Sequence, residues 1–271
     1  MAACRRARFR VEGDFDMTDA VAGQAPRRSA PFAPYHKWDR NFFLTYVVLI
    51  WIGIVMGFGD DIVHHIQSHE IAYPLIVHFH AVAFVGWLVV LTAQVLLIRR
   101  GQPQIHARLG VAAMVLALVM IVIGPATALY MQRLQWGTPD SDPAFLAVQL
   151  SDIVAFTTLV GAAFAWRGTP SAHKRLILLA TLYISDAGFA RWLAGDVHAV
   201  LGGGYWPFLA GLYFANDTLI LGLGAYDLVT RRRLHPAYLV AVPWIAAIQL
   251  TVGYLYAAPF WKEAATHLIG H

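Results

Sequence analysis

Ionisable and amide side chains interrupt several long apolar runs of this sequence, and their types and positions could support chemistry. Charged groups are costly inside a lipid bilayer, so each needs a partner or a function. Carboxylates near an arginine and an imidazole can bind a proton, a cation or a small polar ligand. The members of this candidate ligand- or proton-binding set are His80, Gln94, Asp152, Asp186, Arg191, Asn216 and Asp217.

The formal charges of this set do not balance. The set contains three aspartates but only one arginine, Arg191, and an arginine side chain keeps its proton in proteins. We expect one carboxylate to neutralise Arg191 and at least one other to be protonated, hydrated, or paired with a cation or a protonated histidine. That surplus acid is the functional candidate. The alternative is a fixed ion-pair network that only holds the helices in register.

Histidines in and before the second apolar run suggest two further sites. His78 and His80 are two residues apart, about 200° around a helix, so both cannot serve one metal ion without distortion. His80 shares a helix face with Trp87 and Gln94, and we expect it to face the bundle. A copper, zinc or nickel site would use the preceding polar loop, and the alternative is a solvated loop. The candidate metal ligands are His64, His65, His69 and His78.

Other cofactor chemistry is restricted by the residue types. The only cysteine, Cys4, excludes internal disulfides, thiolate zinc sites, iron–sulfur clusters and c-type haem attachment. A b-type haem would need His78 or His80 together with His198 or a loop histidine. Nucleophile-elbow, P-loop, dinucleotide-binding and H-E-x-x-H motifs are absent, so no enzyme class is indicated.

The composition predicts that membrane helices position these residues. Hydrophobic residues make up 58% of the chain and charged residues 13%, against about a quarter charged in a soluble domain. Apolar runs near the roughly 20 residues that span a bilayer predict seven transmembrane helices, and the alternation typical of barrels is absent. These runs cover residues 42–58, 71–98, 109–131, 144–166, 176–194, 206–229 and 237–260.

A repeated loop motif divides the chain further. The pattern R-G-x-P-x-x-H-x-R-L occurs at 100–109 and again at 167–176, and a looser version lies at 231–236. Each copy joins two apolar runs, which predicts three repeated helical hairpins after the first helix. The predicted fold class is therefore all-α, a polytopic membrane helix bundle.

The repeated loops carry cations where phosphate groups would be favourable partners. Basic residues and unpaired backbone N–H groups at a helix start both attract anions. The predicted contacts to phosphate or anionic lipid are His106, Arg108, His173, Arg175 and His235, with a dedicated phosphate or metal site as the alternative. We also expect Asp227 to pair with Arg231, one helical turn later.

The distribution of basic residues predicts the orientation. All of the 20 Lys and Arg residues except Arg133, Arg191 and Lys262 lie before residue 41 or in the repeated loops, which should therefore be cytoplasmic. The amino terminus is then inside and the carboxy terminus outside. We expect residues 1–40 to carry no signal peptide and to form a disordered cytoplasmic tail, followed by a transmembrane domain at 41–271. Basic residues beside membrane spans are poor evidence for nucleic-acid binding.

Four segments of the chain resemble a broad group of bacterial seven-span membrane proteins. The segments are Asp39–Leu44, the run from His80 to Gln94, the loops at 106–110 and 173–181, and Tyr226–Pro236. The resemblance implies a bacterial inner-membrane location and seven helices, but no catalytic roles. The chain is also distantly similar to b-type cytochromes, from which it departs because only its second span carries deep histidines.

Three functional classes are consistent with the sequence. The favoured one is a binding or transport protein with an outward-facing polar pocket for a small ligand, cation or proton. The second is a redox protein with b-type haem or a bound metal. The third is an accessory subunit whose polar groups orient helices for a homo-oligomer or a larger membrane complex.

Overall fold

The computed structural model describes residues 32–67 and 73–271, apart from the side chains at positions 60, 61, 64 and 65. Helices dominate these two ranges, which contain no strand. Six helices are long and apolar enough to cross a bilayer, and a bent helix pair adds a seventh if it forms one span. The chain is therefore a multi-pass membrane protein. Its described helices are α1 (Asp39–Gln67), α2 (Leu75–Arg99), α3 (Pro103–Leu134), α4 (Leu146–Ala165), α5 (Pro170–Ile184), α6 (Asp186–Leu201), α7 (Tyr205–Arg231), α8 (Pro236–Ala257) and α9 (Pro259–Leu268).

Helix α4 is the most enclosed of the long apolar helices. Its most apolar stretch is 56% buried, against 22% for those of α2 and α3. Side chains of α4 such as Ala155, Phe156 and Ala163 have no exposed surface. A polar residue on α4 therefore faces other helices more often than one on α2 or α3, where much of the surface is left for lipid.

The loops that join the helices define two ends of the bundle. We call the end that carries the repeated loops, residues 100–102, 167–169 and 232–235, and the start of α1 the basic end. The opposite end, where Asp140, Asp142 and Asp196 lie, is the acidic end. Contacts join the basic-end elements: the ring of His106 lies 6.3 Å from that of His173, and Arg99 donates to the side chain of Asn41.

Proline begins the helix that follows each repeated loop. Pro103, Pro170 and Pro236 are the first residues of α3, α5 and α8. Proline suits this position because the first N–H groups of a helix have no intrahelical partner. His106 and His173 then lie one turn into their helices, whereas His235 precedes its proline and caps α8. The third loop thus differs from the first two.

The apolar run expected at 176–194 does not form one straight helix. It is divided at Ser185 into α5 and α6, whose axes differ by 50°. The backbone N–H and the hydroxyl of Ser185 both donate to the carbonyl of Leu182, which also accepts from the amide of Asn216 on α7. A serine hydroxyl that bonds to the backbone competes with the helical ladder and bends helices. The bend places Asp186 at the first position of α6.

A glycine contact brings α1 and α6 close together. Gly53 and Gly57 form a G-x-x-x-G motif on α1, and a Cβ atom on Gly57 would overlap the carbonyl oxygen of Gly188 on α6. Small residues at this spacing allow two membrane helices to approach at backbone distance. This crossing fixes the amino-terminal half of α6, directly after the bend.

The segment before the first helix contacts the basic end. Helix α1 begins at Asp39, and the preceding segment contacts the basic end: Lys174 donates to the carbonyl of Pro34, and Arg231 to that of Ala33. The ring of Phe32 lies 4.7 Å from the guanidinium of Arg175. The expectation of a disordered tail concerns mainly residues 1–31, which lie outside the described residues.

Candidate functional site

A pair of carboxyl groups lies inside the bundle where α4 meets the bend between α5 and α6. Asp152 of α4 and Asp186 of α6 are within hydrogen-bonding reach of each other. Asp186 is only 2% exposed, and Oδ1 of Asp152 is buried. Neither that atom nor Oδ2 of Asp186 has a hydrogen-bond donor in the protein. We call these two residues the carboxyl pair.

Two tyrosine hydroxyls border the carboxyl pair. Tyr183, near the end of α5, and Tyr213, on α7, are 1% and 3% exposed, and their ring centroids are 5.9 Å apart. Both lie within electrostatic range of the carboxyl pair, and the Tyr183 hydroxyl is near that of Ser151. Neither tyrosine hydroxyl forms a hydrogen bond of ordinary geometry. Unpaired buried polar atoms are rare in proteins, so four in one region indicate a place for a proton, water or a small ligand.

The start of α6 provides a favourable environment for one member of the pair. Oδ1 of Asp186 accepts a hydrogen bond of 2.6 Å from the backbone N–H of Ala187. Asp186 also lies at the amino-terminal end of the helix, where the helix dipole favours negative charge. Asp152 lies within α4 and has neither advantage. The geometry therefore favours the negative charge on Asp186 and a proton on Asp152.

Two carboxylates at this separation cannot both be ionised in a buried site. Their repulsion is strong where little water screens it, so one proton remains between them. The protonated oxygen can then donate to the other carboxyl group, which satisfies part of the pair. This arrangement can take up and release protons, or exchange a proton for a small cation.

Arg191 does not neutralise the pair as the sequence suggested. Its side chain is exposed, donates to the carbonyl of Ala187 at 2.8 Å, and lies 4.5 Å from the ring centroid of Phe58. Among the side chains that the structure describes, no carboxylate is within ion-pair distance of it. Its charge nevertheless acts on Asp186 and His80 from a longer range.

The other members of the predicted set are distributed along the bundle. His80 is partly buried and stacks on Phe84 of the same helix, with its Nδ1 enclosed. Asp217 accepts a 2.9 Å hydrogen bond from Gln249 of α8. Asn216 is buried at the helix bend. Gln94 is not brought to the carboxyl pair, since it lies beside Gly110 near the basic end.

The described histidines form no metal centre. Among the residues that the structure describes, no three His, Cys, Asp or Glu side chains could hold one ion. His78 is exposed, with its Nδ1 3.2 Å from the carbonyl of Pro74. The side chains of His64 and His65, and all of His69, lie outside the described residues. Two of the histidines considered as ligands of a b-type haem have other surroundings. His198 is exposed and its ring lies against Gly211, and the ring of His80 stacks on Phe84.

The predicted phosphate contacts at the basic end fall into two groups. Arg175 has no exposed surface and binds the carboxylate of Asp227, also fully buried, through two N–H groups. His235 is 5% exposed. In contrast, Arg108 is exposed and His106 and His173 are partly exposed, so these three remain accessible to a headgroup.

Asp39 organises a second set of ionic contacts at the basic end. Its carboxylate lies 2.6 Å from Lys174 and 2.8 Å from Arg231, and it accepts a 2.5 Å hydrogen bond from the hydroxyl of Tyr226. The ion pair expected between Asp227 and Arg231 exists, but at 3.8 Å it is the longer contact of each residue. Three helices, α1, α5 and α7, are joined by these contacts.

His235 is held in its neutral form. Its Nδ1 accepts a 3.0 Å hydrogen bond from the backbone of Ala237, and its Nε2 is 3.1 Å from the hydroxyl of Ser171. A ring nitrogen can accept only when it carries no proton. Burial, reinforced by the nearby positive charge of Arg175, lowers the pKa of His235 to about 4.

Sequence reasoning missed the tyrosines of the site. Tyr183 and Tyr213 occupy apolar runs, and nothing in their local pattern separates them from tyrosines such as Tyr46, whose hydroxyl donates to a backbone carbonyl. Only the meeting of α5 and α7 places them beside the carboxyl pair. The G-x-x-x-G motif at 53–57 was a usable signal for the crossing that positions α6.

Comparison with known protein families, with curated proteins and with solved structures found no match. The site is therefore interpreted from its own geometry.

Proposed function

We propose that this membrane protein binds and releases a proton, or a small cation in its place, at the carboxyl pair. The observation that carries the proposal is the close approach of Asp152 and Asp186, each with a buried oxygen that lacks a donor. A structural ion pair joins opposite charges, as Arg175 and Asp227 do. Two acids side by side instead provide a site whose occupancy by a proton changes its charge.

The helix bend supports the same function. Broken helices at membrane depth occur where backbone polar groups line a cavity or a ligand site. Here the bend supplies the N–H of Ala187 to one carboxyl group and brings the other within reach. The favoured class from the sequence, a binding or transport protein, thus takes a specific form in which the ligand is a proton or a small cation.

Labelling with dicyclohexylcarbodiimide tests this function. This apolar reagent reacts with protonated carboxyl groups in membranes, and mass spectrometry locates the adduct. We expect labelling of Asp152 that disappears in Asp152→Asn, with the exposed Asp196 as an internal unlabelled control. Protection by sodium but not by choline would identify a bound cation. Equal labelling of Asp152 and Asp196, or no labelling of Asp152 at any pH, would contradict the proposal.

We further propose a seven-span protein in a bacterial inner membrane, with α5 and α6 as one broken span. The cytoplasmic side is the basic end, because positively charged loops remain on that side. The amino terminus is then inside, the carboxy terminus outside, and the three hairpins after α1 point their loops to the cytoplasm. Cysteines at the exposed positions Gln104 and Gly203 should react with impermeant reagents from the inside and the outside, respectively. A reversed pattern would contradict this topology.

Anionic lipid headgroups are the proposed partners at the basic end. Exposed cations lie around this end and are free to contact phosphate. They include Lys37, Arg40, Arg100, Arg108, Arg167 and Arg232. Replacement of Arg100 and Arg108 by glutamine should weaken binding of the purified protein to vesicles containing phosphatidylglycerol, while the matched change Lys262→Gln at the acidic end should not.

A further inference from the structure

The carboxyl pair lies much nearer to the acidic end than to the basic end. Asp152 is six residues from the start of α4, roughly 9 Å along the axis at 1.5 Å per residue. Thirteen residues, roughly 20 Å, then continue to the basic end. The two directions also differ in the side chains that line them.

Amide side chains lie between the carboxyl pair and the acidic end. Gln149 lies one helical turn above Asp152 and accepts a 3.3 Å hydrogen bond from Gln132, two residues before the end of α3. Oε1 of Gln132 is buried and has no donor. Asp152 and Gln149 are themselves partly exposed. The unpaired oxygens of Gln132 and Asp152 are suitable hydrogen-bond acceptors for water.

Large apolar side chains fill the space between the carboxyl pair and the basic end. A layer from α4, α5 and α7 separates the carboxyl pair from the basic end, and each of its members is at most 3% exposed. The layer consists of Phe156, Leu159, Leu178, Leu179, Leu182 and Leu223. Below it lies the fully buried ion pair of Arg175 and Asp227. Close-packed apolar side chains leave no room for water.

We infer that the carboxyl pair exchanges its proton only with the acidic end, through water held by Gln149 and Gln132. This inference rests on the proposed function. A hydronium ion that reaches Gln149 gives a proton to the free oxygen of Asp152, while the proton that Asp152 already holds passes to the carboxylate of Asp186. One O–H bond breaks and one forms in each of these two transfers, and the reverse transfers return a proton to water. Gln149 and Gln132 position the water and do not titrate.

Thiol accessibility tests the two directions separately. In a Cys4→Ser background, which removes the only native thiol, single cysteines are placed at Gln149 and at Leu179. A cationic, membrane-impermeant methanethiosulfonate reagent is added to right-side-out and to inverted vesicles. We expect reaction at position 149 only from the acidic side and no reaction at position 179 from either side. Cysteines at the exposed residues Asp140 and Gln104 report the acidic and basic sides.

The outcomes separate this inference from the proposed function. The inference is overturned if position 179 reacts from the basic side, or if position 149 does not react from the acidic side, even when carbodiimide still labels Asp152. Absence of carbodiimide labelling at Asp152 together with the expected thiol pattern overturns the proposed function, and the water path from the acidic end then carries no proton to the pair. Leu223→Cys provides a second test of the apolar layer, and a monodisperse size-exclusion peak shows that each variant is folded.

Discussion

Asp152 of α4 and Asp186 of α6 hold their carboxyl groups within hydrogen-bonding reach of each other inside the bundle. The contact exists because the chain bends at Ser185 and places Asp186 at the start of a new helix. It leaves an oxygen of each carboxyl group, and the hydroxyls of two tyrosines, without partners. These unpaired buried atoms lower the stability of the folded protein, and the carboxyl pair can bind a proton.

Removal of an unpaired tyrosine hydroxyl should not destabilise the protein. We expect Tyr183→Phe to leave the apparent melting temperature unchanged or raised, because no described protein group forms a hydrogen bond of ordinary geometry with this buried hydroxyl. Tyr46→Phe is the matched control, since its hydroxyl donates to Leu219 at 2.8 Å, and it should cost about 1 kcal/mol. Thermal unfolding in detergent measures both. A larger loss for Tyr183→Phe than for Tyr46→Phe would show that the Tyr183 hydroxyl is already bonded.

The buried ion pair at the basic end should depend on both partners. Arg175→Met or Asp227→Leu alone leaves an unpaired buried charge and should cost roughly 3–5 kcal/mol in the free energy of unfolding. The double variant should recover most of that loss. Arg167→Met at an exposed position should change stability by less than about 0.5 kcal/mol. Additive losses in the double variant would contradict a direct pairing.

The crossing of α1 and α6 should not tolerate a methyl group. Gly57→Ala would press its Cβ against the carbonyl of Gly188, and we expect a loss of about 1–3 kcal/mol. Gly161→Ala, on the exposed side of α4, meets nothing within 4 Å among the described residues and should be neutral or stabilising by up to about 1 kcal/mol. Equal effects on the melting temperature would mean that the helices are not in contact at Gly57.

His235 should make stability depend on pH. Its pKa is about 4 in the folded protein, against an ordinary 6.5, so the unfolded chain binds more protons between these values. Its contribution is fully present above pH 6.5 and is lost as the pH falls through 6.5 toward 4. His235→Asn, which retains a capping side chain, should flatten this part of the profile, whereas His267→Asn at an exposed position should not. Parallel profiles for all three proteins would refute the assignment.

The sequence predicted what depends on composition and periodicity. The long apolar helices, and the helix starts that follow the repeated loops, agree with the local patterns. The burial of Arg175 could not be predicted in the same way. Its position in a basic loop suggested a surface residue, but Asp227, on a distant helix, covers it.

The carboxyl pair also depends on a tertiary event. Both aspartates were candidates because a charged side chain is costly inside a membrane. Their pairing, however, requires the bend at Ser185, where the sequence indicated one continuous span. That bend arises from the Leu182 carbonyl, which bonds to Ser185 and to Asn216 of another helix. A helix-to-helix hydrogen bond leaves no local periodic signal. Helix α9, whose Ala265 packs against α3 and the start of α4, was missed for another reason: its ten residues are too few and too polar to count as a membrane-spanning apolar run.

Infrared difference spectroscopy of the purified protein in lipid, recorded during a pH titration, tests most directly whether the carboxyl pair holds an exchangeable proton. We predict a protonated-carboxyl band that shifts in deuterium oxide, changes with pH, and is lost in both Asp152→Asn and Asp186→Asn but retained in Asp196→Asn. A spectrum in which that band is absent, or is unchanged by the Asp152 and Asp186 substitutions, would contradict the account.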